Sequence, residues 1–220
     1  MSSIKLAASI LSADFARLGE HVTEVTKAGA DLIHVDIMDG HFVPGLTWGP
    51  RTVEAIKKWT DLPLDVHMMV EQPERHIASF LDAGADIITI HAEACTQLHW
   101  TITQIKEYGA KVGVAISPGT SVTSIEEVLQ LLDQILVMTV NPGLPAQKFI
   151  TESPQKIANV RQFMEQRRIQ AELEVDGGIN ANTAPLVAKA GAQVVVAGSA
   201  IFDHADGIEA AVRLLKKQLD

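Results

Sequence analysis

Leu32-Ile33-His34-Val35-Asp36-Ile37-Met38-Asp39-Gly40-His41-Phe42-Val43-Pro44 begins as an apolar run with two polar residues inside it. The first half has the length and composition of a buried strand. Residues two apart on a strand face the same way, so His34 and Asp36 point together into an apolar interior. A buried carboxylate is costly unless it is paired or bound to a cation. The rest of the chain must therefore supply partners for this pair.

Similar runs recur behind a repeated punctuation. Ala28-Gly29-Ala30-Asp31 precedes the opening run, and Ala83-Gly84-Ala85-Asp86 precedes Ile87-Ile88-Thr89-Ile90-His91. Tyr108-Gly109-Ala110-Lys111 precedes Val112-Gly113-Val114-Ala115-Ile116, and Ala190-Gly191-Ala192-Gln193 precedes Val194-Val195-Val196-Ala197. Each glycine sits where a helix would end in a left-handed cap before a short turn. Each following run is short, apolar and β-branched, as strands buried on both faces are. Further strands fit at roughly 4–10, 63–69, 134–140 and 171–176. Amphipathic helical stretches fall at about 15–28, 50–59, 73–83, 96–108, 122–132, 152–168, 181–190 and 206–218. Pro73 suits a first helical position, Pro154 follows Ser153 in the same way, and Thr123 with Glu126 has capping-box spacing. Eight strands thus alternate with eight helices, without linker or low-complexity segment, which predicts an α/β fold, a single (β/α)8 TIM-barrel domain over residues 1–220. An open doubly wound sheet would want a Gly-rich turn after the first strand, and Ala8-Ser9-Ile10-Leu11-Ser12 has none.

Composition narrows the function classes. The formal charge of −9 carries no block of like charges, and an acidic balance without a basic stripe argues against nucleic acid as a partner. An anionic substrate remains compatible, because a nest of backbone N–H groups can hold a phosphate. Cys95 is the only cysteine, so an internal disulfide is excluded and a reducing compartment fits. The start lacks a basic region followed by a long apolar run, and no stretch reaches the roughly 18 apolar residues of a membrane span. A cytoplasmic protein with no membrane partner is the expectation.

A barrel places its chemistry at the carboxyl ends of the strands. Polar residues at those ends are Ser9, the His34–Asp36 pair, His67, His91, Asn141, Asp176 and Ser199. His67 and Asp176 are the candidate partners for His34 and Asp36, and two imidazoles with two carboxylates form a plausible set for one divalent transition ion, Zn, Fe, Mn or Co. The competing reading is four separately satisfied core residues. His91 does not repeat the pattern and is expected outside the set. His21, His76, His99 and His204 read as surface residues, and His41 follows the strand in a loop. Gly177-Gly178 and Gly198-Ser199 lie in the loops after strands seven and eight, the usual phosphate site of such barrels, although tight turns also favour glycine. Asn141-Pro142-Gly143-Leu144-Pro145-Ala146-Gln147-Lys148 reads as a lid or as a plain turn broken by two prolines.

Taken together, Ala8–Phe15, His34–Pro44, Leu64–His67, Val140–Gly143, Glu174–Ile179 and Val196–Phe202 resemble the ribulose-phosphate 3-epimerase family along essentially the whole chain. The resemblance implies a metal-dependent inversion of C3 of a ketose phosphate, most directly D-ribulose 5-phosphate to D-xylulose 5-phosphate. It assigns His34, Asp36, His67 and Asp176 as metal ligands, with His67 and Asp176 also facing the substrate. Asp36 corresponds to the base and Asp176 to the acid in that direction. Ser9 corresponds to a substrate contact, and Gly143, Leu144, Pro145, Ala146, Gly177, Gly178, Gly198 and Ser199 to the lid and phosphate segments. Self-association into a homo-oligomer is also implied. The chemistry fits independently: inversion next to a ketone needs two carboxylates on opposite faces of the substrate, and a 2,3-enediolate needs charge stabilisation.

The chain departs from the family pattern at the lid. The family normally reads Pro-Gly-Phe-Gly-Gly-Gln, whereas Pro142-Gly143-Leu144-Pro145-Ala146-Gln147 stands here, and Gly45 replaces the usual Asn. Pro145 has no N–H to give to a phosphate oxygen. The alternatives that follow are a related ketose phosphate such as D-allulose 6-phosphate, or a non-catalytic phosphosugar-binding barrel.

Overall fold

The structure, a computed structural model, describes residues 3–144 and 147–219. Strands β1 (Lys5–Ser9), β2 (Leu32–Met38), β3 (Leu64–Met69), β4 (Ile87–His91), β5 (Lys111–Ile116), β6 (Gln134–Met138), β7 (Glu172–Asp176) and β8 (Val194–Ala197) follow one another in sequence order around a closed barrel. All the pairings are parallel, with β8 returning to β1. Helices α1 (Leu18–Ala28), α2 (Pro50–Ile56), α3 (Ile77–Asp82), α4 (Leu98–Glu107), α5 (Ser153–Arg167), α6 (Ala184–Ala190), α7 (Ser199–Phe202) and α8 (Gly207–Leu219) run between and after the strands. The architecture is the expected eight-stranded α/β barrel. Among the described residues no helix is long and apolar enough to cross a membrane.

The joints are built as the glycines foretell. Gly29, Gly84, Gly109 and Gly191 all have positive φ, and after each the chain turns directly into a strand. Strand residues then divide between two apolar environments. Ile33, Val35 and Ile37 of β2 belong to the large core between barrel and helices. Ala7, Leu32, Ile87, Val194 and Val196 form a separate cluster, which plugs the amino end of the barrel interior. Above that plug the interior is polar: Asp65, Thr89, Gln134 and Glu174, from four different strands, touch one another there.

Several element details differ from the sequence expectation. The stretch expected as a helix at 122–132 is a 3-10 helix over Val122–Leu131, and its cap is Ser121, whose hydroxyl accepts the Thr123 N–H at 3.3 Å. Buried Val122, Ile125 and Val128 recur every third residue, which matches the three-residue turn of a 3-10 helix better than an α-helix. The expected helix at 73–83 is split into a 3-10 turn, Pro73–Arg75, and α3. The short α7 after β8 was not foreseen. His21 is buried rather than exposed: its Nδ1 accepts the Asp14 N–H at 3.2 Å, and its ring stacks on Phe202.

Gly113 shows how tightly the interior is filled. A Cβ there would lie 2.4 Å from Thr89 Oγ1 and 3.1 Å from Thr89 Cβ. Thr89 is fully buried and engaged with Asp65, so it cannot swing away freely. Gly113→Ala is expected to lower the unfolding free energy by about 1–3 kcal/mol through overpacking, measured by urea denaturation. An unchanged midpoint would show that this layer has slack.

Candidate active site

The register of β2 against β3 sets Asp36 beside His67. His34 Nε2 lies 3.4 Å from His67 Nδ1 and 3.5 Å from Asp36 Oδ1, and His67 Nδ1 lies 3.1 Å from Asp36 Oδ1. Asp176 Oδ2, across the mouth at the end of β7, is 4.0 Å from His67 Nδ1. The four side chains expected to act together therefore converge, with donor atoms within 4.8 Å of one another. A tetrahedral ion with bonds of about 2.0–2.2 Å has ligand-to-ligand edges of about 3.3–3.6 Å. Two imidazole nitrogens and two carboxylate oxygens at these separations fit a divalent transition ion.

Local structure holds these groups in place. Ser9 donates to Asp36 Oδ2 at 2.6 Å. The loop after β2 folds back so that Thr47 donates to the Asp36 carbonyl at 2.8 Å and accepts the Met38 N–H at 2.9 Å. Asp39 ties that loop down by accepting the N–H groups of His41, Phe42 and Glu71. Thr139, fully buried, donates to the carbonyls of Asp176 and Gly177.

Beneath this cluster lies a polar layer that sequence reading missed. Asp65 Oδ2 accepts from His34 Nδ1 at 2.9 Å. Thr89 donates to Asp65, and Gln134 bridges Asp65, Thr89 and Glu174. Beside it His91 is drawn in: its Nε2 lies 2.9 Å from His67 Nε2, and its Nδ1 lies 3.2 Å from Glu93 Oε2. The signal for Asp65, Thr89 and Glu174 was present as polar residues two before His67, His91 and Asp176 on the same strand faces. His91 was in view as a polar strand end, but nothing in the sequence linked it to His67, and Glu93 lies beyond the strand.

Burial and charge set these groups apart. Burial opposes charge on His34, but Asp36 and then Asp65 outweigh it and hold its pKa well above the usual value. Burial would raise Asp36, but His34 and His67 hold it well below the ordinary carboxylate range. Burial, reinforced by the charge of Asp36, pushes Asp176 up to about 7. Burial and Asp65 push Glu174 far upward. One carboxyl at the mouth is thus ionised and the other close to half-protonated at neutral pH, the separation expected of a base and an acid.

The cleft above the cluster is lined by Ser9, Asp36, Asp176, Gly178, Gly198 and Ser199, with Gly143 and Leu144 at its edge. Gly177 and Gly178 have φ of 120° and 66°, which side-chain-bearing residues rarely adopt. A Cβ at Gly178 would also lie 2.6 Å from Phe149 N. The loop after β6 meets the loop after β2: a Cβ on Gly45 would lie 2.6 Å from the Gly143 carbonyl oxygen. The glycine that departs from the family pattern thus sits where the lid backbone leaves no room for a side chain. Leu144 is half exposed, Gln147 donates to its carbonyl at 3.0 Å, and Pro145 and Ala146 lie outside the described residues.

The model of the ribulose-phosphate 3 epimerase family matches residues 5–202. A ribulose-phosphate 3-epimerase of Bacillus subtilis is 54% identical over 204 residues, covering 92% of this chain and 94% of that protein. A chloroplastic ribulose-5-phosphate-3-epimerase of Arabidopsis thaliana is 48% identical over 211 residues, 95% of this chain and 75% of that protein. Among solved structures, a 3-hexulose-6-phosphate synthase from Salmonella typhimurium aligns with a TM-score of 0.72 at 22% identity, covering 98% of both chains. That likeness shows the barrel fold alone.

Asp176 couples the site to pH. Its carboxyl titrates at about 7 in the folded chain and at about 3.9 when unfolded. Between these values the folded chain holds a proton that the unfolded chain has lost. The stability contributed by the protonated form is complete below about pH 4 and is lost as pH rises through about 7. In chelator, Asp176→Asn is expected to remove this loss, so the variant gains unfolding free energy relative to wild type between about pH 5 and about pH 8 by urea denaturation. The same difference at both pH values would show that Asp176 is not raised.

Proposed function

Because this chain belongs to the ribulose-phosphate 3-epimerase family, we propose that it interconverts D-ribulose 5-phosphate and D-xylulose 5-phosphate with a divalent ion at His34, Asp36, His67 and Asp176. It is an isomerase, an epimerase acting on carbohydrates, and its reaction class is that of a ketose-phosphate 3-epimerase. The observation that carries this reading is the meeting of Asp36 and Asp176 at one cleft, with His34 and His67 beside them.

In this reading Asp36 takes the C3 proton from one face, and the electron pair of the C–H bond becomes the C2–C3 double bond of a 2,3-enediolate. Asp176 returns a proton to C3 from the other face, and the reverse reaction exchanges the two roles. Ser9 holds Asp36 by its Oδ2 and so fixes the direction of approach of the carboxylate. A bound divalent ion would supply electrostatic stabilisation of the charge that develops on the substrate oxygens. Gly177, Gly178, Gly198 and Ser199 lie where the phosphate of a barrel substrate is usually held, with α7 opening at Ser199. Gly143 and Leu144 close the cleft from the side.

The lid favours a second substrate as the alternative within the same chemistry. Leu144 stands at the edge of the cleft where the family has Phe, and a smaller side chain leaves room for a longer ketose phosphate such as D-allulose 6-phosphate. A panel of ketose phosphates in deuterated water, with Zn, Fe, Mn or Co added, separates these readings. Deuterium is expected to enter C3 with turnover, fastest for ribulose 5-phosphate. Asp36→Asn and Asp176→Asn are each expected to lower the rate by at least about 100-fold while circular dichroism stays unchanged. Full activity in both variants would sink the two-carboxylate mechanism. Tight binding without exchange on any sugar would favour a non-catalytic barrel.

A further inference from the structure

We propose that Glu93, acting through His91, is a positioning residue that holds His67 in the tautomer whose Nδ1 lone pair faces the cation. The proposal rests on the metal reading above and adds to it a residue outside the ligand set. Its basis is a chain of hydrogen bonds running outward from the cluster along the end of β4.

Glu93 stands in the turn after β4. Its Oε1 accepts the Ser117 N–H at 2.8 Å, which fixes the carboxylate against the end of β5. Its Oε2 lies 3.2 Å from His91 Nδ1. An ionised carboxylate only accepts hydrogen bonds, so His91 carries its proton on Nδ1 and presents a lone pair at Nε2. His91 Nε2 is 2.9 Å from His67 Nε2. That contact is a hydrogen bond only if one of the two nitrogens bears a proton, and His67 must then be the donor. A neutral imidazole with Nε2–H has its lone pair on Nδ1. His67 Nδ1 is the atom 3.1 Å from Asp36 Oδ1, 3.4 Å from His34 Nε2 and 4.0 Å from Asp176 Oδ2.

The polarity of the whole chain therefore starts at Glu93 and ends by aiming a lone pair at the point where the other donors converge. The opposite polarity would leave an unprotonated His91 Nδ1 against the Glu93 carboxylate. Both imidazoles are fully buried, so water cannot relieve that mismatch. The two rings meet edge to edge at their Nε2 atoms, with centroids 5.0 Å apart and 27° between planes, and Phe42 packs against His91 with ring centroids 5.0 Å apart. The rings thus have little freedom to turn and swap nitrogens. The arrangement parallels Asp65, which does for His34 Nδ1 directly what Glu93 does for His67 through an intervening imidazole. Partners that orient a ligating histidine in this way raise metal affinity by about 10- to 100-fold.

The test joins imidazole ¹⁵N NMR of the histidine-labelled protein to Zn²⁺ competition with a chromophoric chelator. In the Zn²⁺-loaded wild type, where the cation takes the His67 Nδ1 lone pair that would otherwise face the Asp36 carboxylate at 3.1 Å, His91 is expected as the Nδ1–H tautomer and His67 as the Nε2–H tautomer. Glu93→Ala is expected to weaken Zn²⁺ binding about 10- to 100-fold and to redistribute the His91 tautomers in the Zn²⁺-loaded protein. Glu93→Gln, whose amide oxygen still accepts from His91, is expected to recover part of the loss. A Glu93 that merely braced the loop would lower the stability of the chelated protein while leaving the His91 tautomer of the Zn²⁺-loaded protein unchanged. That result, an unprotonated His91 Nδ1 in the wild type, or Zn²⁺ affinity of Glu93→Ala within twofold of wild type would overturn the proposal alone. A wild type that binds none of Zn²⁺, Fe²⁺, Mn²⁺ or Co²⁺ would overturn the metal reading and this proposal with it.

Discussion

Buried charge must be cancelled where it is buried, and this single constraint organises the inside of the barrel. Asp36, Asp65, Glu174, His34, His67 and His91 are all nearly or wholly shielded from water. Each is accommodated by another member of the set. His34 lies between Asp36 and Asp65. Glu174 meets the adjacent negative charge of Asp65 by holding on to its proton, as its strongly raised pKa implies. Removing one member leaves its partner with an uncompensated charge, which costs far more than the pair contributes. The polar interior is therefore a single unit, and stability and chemistry draw on the same groups.

The barrel can host such a unit because its two other jobs are done elsewhere. The apolar plug at the amino end closes the interior, and the large core between strands and helices supplies the burial that holds the fold together. The carboxyl end is then free to carry groups that work against folding. Loops from several strands complete the cleft. Those after β2 and β6 meet at Gly45 and Gly143 with no room for a side chain between them, so a substitution in one loop is constrained by the other.

Much of the site was legible because strand alternation maps sequence spacing onto space. His34 and Asp36 share a face by their separation alone, and barrel topology then sends His67 and Asp176 to the same end. His91 stays outside the four-ligand set, as expected, but its contact with His67 was not foreseen, because it runs between neighbouring strands and depends on ring orientation, which no spacing encodes. Glu93 lies beyond its strand, where period-two reasoning stops. His21 was read as exposed because α1 is amphipathic, yet it fills a niche beside Phe202 that exists only once the chain after β8 has packed.

By itself the sequence determined the eight βα units, their order and the strand ends that carry polar side chains, since these follow from local propensity and from periods of two and 3.6 residues. It also carried the family's motifs. Tertiary structure alone decided how those side chains neutralise one another: which nitrogen of each imidazole faces the cluster, which carboxyl is ionised and which keeps its proton, and how closely the two loops meet over the cleft. Those outcomes depend on distances of three to four ångströms between residues far apart in the chain. Closure of the barrel fixes such distances, and nothing in the local sequence does.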